Sequence, residues 1–331
     1  MPSVLISSDG TLTRTAPCVG MLQEAGFEVH FPKNPKFPAG LCSDEAAIEE
    51  LTGICAVIAW GEKYTEQVLS GSPDLRVVAR AGVGFDSVDV PAATARGVAV
   101  TITPNANHEA VAEGTLAYMF AVAKGIVPID KAVRAGDWPR ILLTPIRGKT
   151  FGIIGLGRIG RSVAVRALGL QMRVIAAETY PDKKFVDKHG IELVDLDTLL
   201  GRADFVSLHC PLSEETRGLI NAEKLAKMKS DAVLINTARG GLVVEADLVR
   251  ALESGRLRGA GLDVFEKEPT DASNPLFQLD NVVVSSHRAG NDFLAMENMG
   301  LEAAQCIIDL SRGKWPEGAV LNTELEADWK F

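Results

Sequence analysis

Few folds can accommodate the stretch GIIGLGRIG at residues 152–160. It puts Gly155, Gly157 and Gly160 in G-x-G-x-x-G register, directly after the strand-like FGII and at the opening of the helical pattern RSVAVRALG. The first glycine permits a tight turn, the second lets backbone approach a pyrophosphate, and the third packs helix on strand. The helix start adds unpaired N–H groups and the positive end of the helix dipole. Eighteen residues past Gly160, Glu178 closes RVIAAE, where a carboxylate can accept from a ribose diol and repel a 2′-phosphate. NAD is therefore expected and NADP disfavoured. The neighbouring Lys183 and Lys184 read as surface charges.

Around this loop, short apolar runs alternate with helical patterns. VLIS (4–7), FEVHF (27–31), CAVIAW (55–60), LRVVARAG (75–82) and VAVTIT (98–103) form a first series. TFGIIGLG (150–157), RVIAAE (173–178), FVSLHC (205–210), AVLINTA (232–238), GAGLDVF (259–265) and NVVVSS (281–286) form a second. This rhythm predicts two α/β units in tandem, each with a parallel sheet and crossover helices. Between them a long helix is expected over about 109–136, kinked at Pro128. The junction near 100–106, at TPNAN, reads as a tight crossing, and the tail reads as a helix over 293–310 followed by an extended end. Periodicity does not say which unit the tail joins.

With 331 residues, 47% of them hydrophobic, the chain can fill two cores. A net charge of −9 without a basic cluster argues against a nucleic-acid partner. Neither a signal-peptide pattern nor an uncharged apolar stretch of about 18 residues is present, so no membrane association and a cytoplasmic location are expected. Cys18, Cys42, Cys55, Cys210 and Cys306 form no CxxC pair, and neither a metal site nor a disulfide frame is expected.

In an open α/β sheet, ligands bind beyond the carboxyl ends of the strands. Those positions in the second unit hold His209 and Cys210, Arg239, Glu268 and His287. A guanidinium can hold a substrate carboxylate and keto oxygen. An imidazolium can give that oxygen a proton, and a carboxylate can orient the imidazole and stabilise its charged form. Each of these residues also has an ordinary reading as a loop ion pair or a satisfied polar group.

The chain resembles the D-isomer-specific 2-hydroxyacid dehydrogenases, a family that includes phosphoglycerate, D-lactate and formate dehydrogenases and glyoxylate/hydroxypyruvate reductases. The resemblance runs through RVVARAGVGFDSVDV (76–90), the GLGRIG loop, SLHCPLSEETRGLIN (207–221), INTARGGLVVEADLVRAL (235–252), GLDVFEKEP (261–269) and SSHRAG. It implies that Arg239 binds substrate, that Glu268 pairs with the histidine and that His287 is the acid/base. It implies further that the backbone of Val83 and Gly84 holds the substrate carboxylate, with Asn107 facing the same cleft. Arg158 and Ile159 would meet the pyrophosphate. Cys210, Pro211, Thr237, Ala238 and Asp263 would line the cofactor, with Asp263 accepting from the carboxamide and Cys210 a pocket wall rather than a nucleophile. The implied fold is two Rossmann/flavodoxin-like domains with parallel sheets. An NAD-binding domain, 104–288, is inserted into a discontinuous substrate domain made of 1–103 and 289–331. Dimerisation through the cofactor domains and closure of the cleft by hinge motion are also implied.

Departures from the family pattern bear on the substrate. Ala59 and Trp60, then Gly61, Glu62 and Lys63, stand where phosphoglycerate dehydrogenases have an Arg-Ser pair, and no regulatory domain follows Phe331, so no amino-acid feedback site is expected. Ser285 and Ser286 replace the usual Thr-Pro before the histidine, and Arg288 follows it, either facing solvent or meeting a second anionic group on the substrate. The expected activity is NAD(H)-linked interconversion of a small D-2-hydroxy acid and its 2-keto acid. The alternatives are a short-type D-3-phosphoglycerate dehydrogenase and, from another class, an NADH-sensing corepressor-like binding protein.

Overall fold

The short apolar runs become parallel strands in the computed structural model, which describes residues 1–8 and 10–331. The chain divides into two compact units, Met1–Asn107 with Asn291–Phe331, and His108–Gly290.

The first unit begins β1 (Ser3–Ile6), α1 (Pro17–Glu24), β2 (Glu28–His30), α2 (Asp44–Glu50), β3 (Ala56–Ala59), α3 (Glu66–Gly71), β4 (Val77–Arg80), α4 (Val90–Ala95) and β5 (Ala99–Thr101). Its strands are all parallel in the order β2-β1-β3-β4-β5, the flavodoxin-like arrangement. Successive side chains point to opposite faces, so Val4, Ile6, Ile58 and Val77 pack on one side and Leu5, Val57, Val78 and Val100 on the other. Both faces are covered, which is why these strands read as continuous apolar runs rather than alternating ones. The side chains of Ser43, Thr65 and Asp89 cap α2, α3 and α4 by accepting from first-turn amides.

The second unit contains α5 (His108–Ala123), α6 (Ile126–Arg134), β6 (Thr150–Ile154), α7 (Arg158–Gly169), β7 (Arg173–Ala177), α8 (Lys183–His189), β8 (Glu192–Leu193), α9 (Leu196–Arg202), β9 (Phe205–Leu208), α10 (Ala222–Lys227), β10 (Val233–Asn236), α11 (Glu245–Glu253), β11 (Gly259–Leu262) and β12 (Val282–Val284). The parallel order β8-β7-β6-β9-β10-β11-β12 places the reversal of winding between β6 and β9. A ligand crevice opens at such a point. Ile153 and Phe151 of β6 are fully buried, and truncating Ile153 to alanine would cost about 2–5 kcal/mol.

The chain returns to the first unit in α12 (Phe293–Ser311), which packs on α1 and β4. Beyond it the Asn322 side chain accepts from Val100 N and donates to Val98 O, both at 2.9 Å, and Val320 bridges Thr101 antiparallel.

The single helix expected over 109–136 is instead two, α5 and α6, bent by 57°. The break falls at Gly125, whose backbone is left-handed at φ 55°, and not at Pro128. Pro128 sits in the first turn of α6, where its missing N–H has no intrahelical partner to lose. Several expected strands also end earlier than their apolar runs. β9 stops at Leu208, for example, which leaves His209 and Cys210 beyond the sheet edge.

Candidate active site

At the reversal point, Gly155 leaves β6 with φ +95°, and a Cβ there would come within 2.6 Å of Cys210 N. Only glycine allows the two strand-end loops to pass this closely. Gly157 is the N-cap of α7 and supplies no side-chain cap, so the first-turn amides of Arg158, Ile159 and buried Gly160 are left for another acceptor. Glu178, just past β7, accepts from Leu156 N at 2.6 Å and Tyr180 N at 2.9 Å. The carboxylate therefore braces the glycine loop. Arg161 holds the carbonyl of the same residue, donating from Nε to Leu156 O at 3.0 Å while pairing with Asp182. An uncapped helix start, a loop shaped for backbone approach and a carboxylate after the second strand together fit a dinucleotide.

Cys210 and Pro211 follow β9. Burial, and secondarily the charge of Glu178, push the Cys210 thiol up to about 11, so it is no thiolate nucleophile at neutral pH. Beside it, burial pushes His209 down to about 3. Its Nε2 pairs with Ser207 Oγ at 2.9 Å, and its buried Nδ1 has no hydrogen-bond partner. His209 is thus a neutral ring at this edge of the sheet, not an acid.

Thr237, Ala238 and Arg239 follow β10. Thr237 Oγ1 meets Thr115 Oγ1 of α5 at 2.9 Å, and Asn236 clamps the turn by bonding Ala238 N and Arg239 O. After Arg239 the backbone runs against the Phe265 carbonyl, so close that a Cβ on Gly240 would overlap it. That approach brings Arg239 near the loop carrying Glu268, and its charge is felt there.

His287 lies three residues beyond β12. Its Nδ1 is 2.8 Å from Glu268 Oε2, and Glu268 Oε1 accepts from Phe265 N at 2.9 Å. Burial pushes the Glu268 carboxyl up, but the bond and charge of His287, the Phe265 amide and the Arg239 charge outweigh it and leave the group below its ordinary range. The carboxylate is thus ionised at neutral pH. Arg239, Glu268 and His287 come together at the ends of three adjacent strands.

Asp263, which the family resemblance assigns to the cofactor, is also bonded within the protein. The residue is buried, and its carboxylate accepts from Tyr118 Oη at 2.9 Å, Arg288 N at 2.9 Å and Ala289 N at 2.8 Å. Its carbonyl also accepts from His287 N at 2.8 Å. Three of about four carboxylate acceptor positions are therefore used, two to hold the histidine loop and one by Tyr118 of α5. Tyr118 and Thr115 were not singled out from sequence. Their only signal is that 111, 115 and 118 share one face of α5.

In the first unit, Val83 and Gly84 lie in the loop after β4, and Asn107 ends the segment with a buried Oδ1 that has no hydrogen-bond partner. Ala59 is fully buried, Trp60 packs on the core and Lys63 is exposed. Among the described residues, no group of three or more His, Cys, Asp or Glu side chains could hold a metal ion.

Residues 116–289 match the model of the D-isomer specific 2-hydroxyacid dehydrogenase NAD-binding domain. The chain is 39% identical over 293 residues to D-3-phosphoglycerate dehydrogenase of Archaeoglobus fulgidus, covering 87% of this chain but only 56% of that protein. It is 38% identical over 317 residues to glyoxylate reductase of Korarchaeum cryptofilum, covering 93% of this chain and 94% of that one. Among solved structures, the acyclic imino acid reductase Bsp5, in complex with NADPH and D-Arg, superposes with a TM-score of 0.83 at 30% identity, covering 96% of this chain and 100% of that one. The chain belongs to the D-isomer specific 2-hydroxyacid dehydrogenase family, and its second unit carries the family's NAD-binding domain.

Proposed function

We propose that the protein interconverts a small, unphosphorylated D-2-hydroxy acid and its 2-keto acid, and works as a reductase. The observation that carries this reading is the His287 and Glu268 pair at 2.8 Å, with Arg239 close enough for its charge to act on the carboxylate. Glu268 accepts from Nδ1, which leaves Nε2 of His287 as the atom that gives a proton to the keto oxygen or takes one from the hydroxyl. Arg239 orients the substrate and polarises its carbonyl, and the Val83 and Gly84 amides grip its carboxylate. The nicotinamide cofactor, when bound, supplies or accepts the hydride. The first-turn amides of α7 would hold its pyrophosphate, and Glu178 its ribose diol, which favours NAD over NADP.

An unphosphorylated substrate is favoured because fully buried Ala59 and core-packed Trp60 stand where phosphoglycerate dehydrogenases have an Arg-Ser pair. The test is NADH oxidation against glyoxylate, hydroxypyruvate, pyruvate and phosphohydroxypyruvate. Turnover on an unphosphorylated member supports the reading. Turnover confined to phosphohydroxypyruvate overturns the substrate class, and none on any overturns the activity.

A homodimer is part of the proposal. Trp138, Ile141 and Leu142 after α6 are 78%, 57% and 97% exposed, an apolar arm suited to a second copy of the chain. Sedimentation giving a monomer mass at micromolar concentration would rule it out.

A further inference from the structure

We propose that buried Glu62 and half-buried Arg80 form a positioning pair that sets the direction of the Val83 and Gly84 amides. The inference rests on the proposed role of that loop as the grip on a substrate carboxylate. Three anchors hold the loop. At its start, Gly82, with φ +143°, donates from N to Thr103 Oγ1 at 2.8 Å and accepts at O from Thr103 N at 3.0 Å. In its middle, Arg80 at the end of β4 donates from Nε to Gly84 O at 3.0 Å. At its far end, Tyr64 donates from N to Ser87 O at 2.8 Å and accepts at O from Asp89 N at 2.9 Å.

Glu62 ties the second anchor to the third. Its side chain is buried within reach of the Arg80 charge, accepting at Oε1 from Tyr64 Oη at 2.7 Å and at Oε2 from Trp60 N at 3.0 Å. Burial pushes this carboxyl up, while the Arg80 charge and the Tyr64 hydroxyl pull it down. A buried acid beside a half-buried base is a poor stability device, since an apolar pair of the same volume is often at least as stable. What such a pair does provide is one orientation for the guanidinium. A fixed guanidinium holds the Gly84 carbonyl, and the carbonyl fixes the peptide planes whose amides must meet the substrate. Arg80 and Glu62 touch no substrate in this scheme, and they act through the loop.

The test uses Arg80→Lys, which keeps the charge but loses the Nε donor, and Glu62→Gln, which keeps the shape but loses the charge. In steady-state reduction of the best 2-keto acid, each should raise the KM for that acid about tenfold, the worth of one charged hydrogen bond. The kcat should stay within about twofold and the KM for NADH should not move. Hydrogen exchange of residues 82–86 should quicken while the rest of the unit is unchanged. Folded variants with wild-type KM and wild-type exchange overturn the inference. So does a loss spread over kcat, both KM values and exchange throughout the unit, which marks a merely structural pair. If the wild type reduces no 2-keto acid, the proposed activity fails while the exchange measurement still decides the pair. If Glu62→Gln does not fold, Arg80→Lys decides alone.

Discussion

The amide of His287 donates to the backbone carbonyl of Asp263 at 2.8 Å, and the carboxylate of the same aspartate accepts from the next two amides in the chain. His287 sits at φ 59°, in the left-handed region. Such a backbone costs a non-glycine residue about 1–3 kcal/mol and persists only where the surroundings over-determine it. Asp263 supplies that constraint, and with it the direction in which the imidazole leaves the chain.

Asp263→Asn should therefore damage turnover through geometry. Its carboxamide offers one oxygen where two are used, and its NH2 group would face an amide of Arg288 or Ala289. The kcat should fall about tenfold to a hundredfold with NADH binding weakened far less. Stopped-flow reduction paired with NADH fluorescence titration checks this, and an unchanged kcat would show that the brace is dispensable.

Glu178 accepts from Leu156 N in the glycine loop, and in the proposed function it also holds the cofactor's ribose diol. Glu178→Ala should weaken NADH binding about tenfold and narrow the discrimination against NADPH. Titration of both cofactors reads the two effects. A preserved preference would mean that the carboxylate supports the loop only.

His209 gives the fold an acid liability. Its folded-state value is depressed to about 3 from an unfolded value of 6.5, because burial disfavours the charged ring. Between those values the unfolded chain takes up a proton that the folded chain refuses. The stability due to the neutral ring is thus fully present above pH 6.5 and is lost as pH falls towards about 3. His209→Gln should flatten the acid side of the stability curve, whose slope from one such group is at most about 1.4 kcal/mol per pH unit. Denaturant unfolding at pH 7 and pH 5 measures it, and equal acid sensitivity in both proteins would contradict the argument.

Much of this arrangement was legible in the sequence because its chemistry is local. The strand, glycine and helix succession around Gly155 declares itself through side-chain volume and periodicity, and residues following apolar runs lie at strand ends by construction. What was not legible depended on tertiary neighbours. Pro128 reads as a helix breaker until Gly125 ends α5 first and turns the proline into a first-turn residue. β8 is two exposed residues paired to β7, with no apolar run to announce it. Glu62, charged and between Gly61 and Lys63, carries the mark of a surface residue, yet it is buried with its carboxylate bonded to Tyr64 Oη and Trp60 N. The resemblance assigns Asp263 a cofactor contact, but its brace on residues 287–289 requires two strand ends to meet.

The central claim is that the Nε2 of His287 moves the proton, held by Glu268. His287→Gln keeps a polar side chain at that place but cannot carry an imidazolium, so it separates chemistry from binding. The decisive measurement is the single-turnover rate of NADH oxidation by the variant with the best 2-keto acid, alongside its NADH dissociation constant. The account predicts a rate lowered by about a hundredfold or more with NADH affinity nearly unchanged. A rate within a few-fold of wild type, or equal losses in rate and NADH affinity, would contradict it.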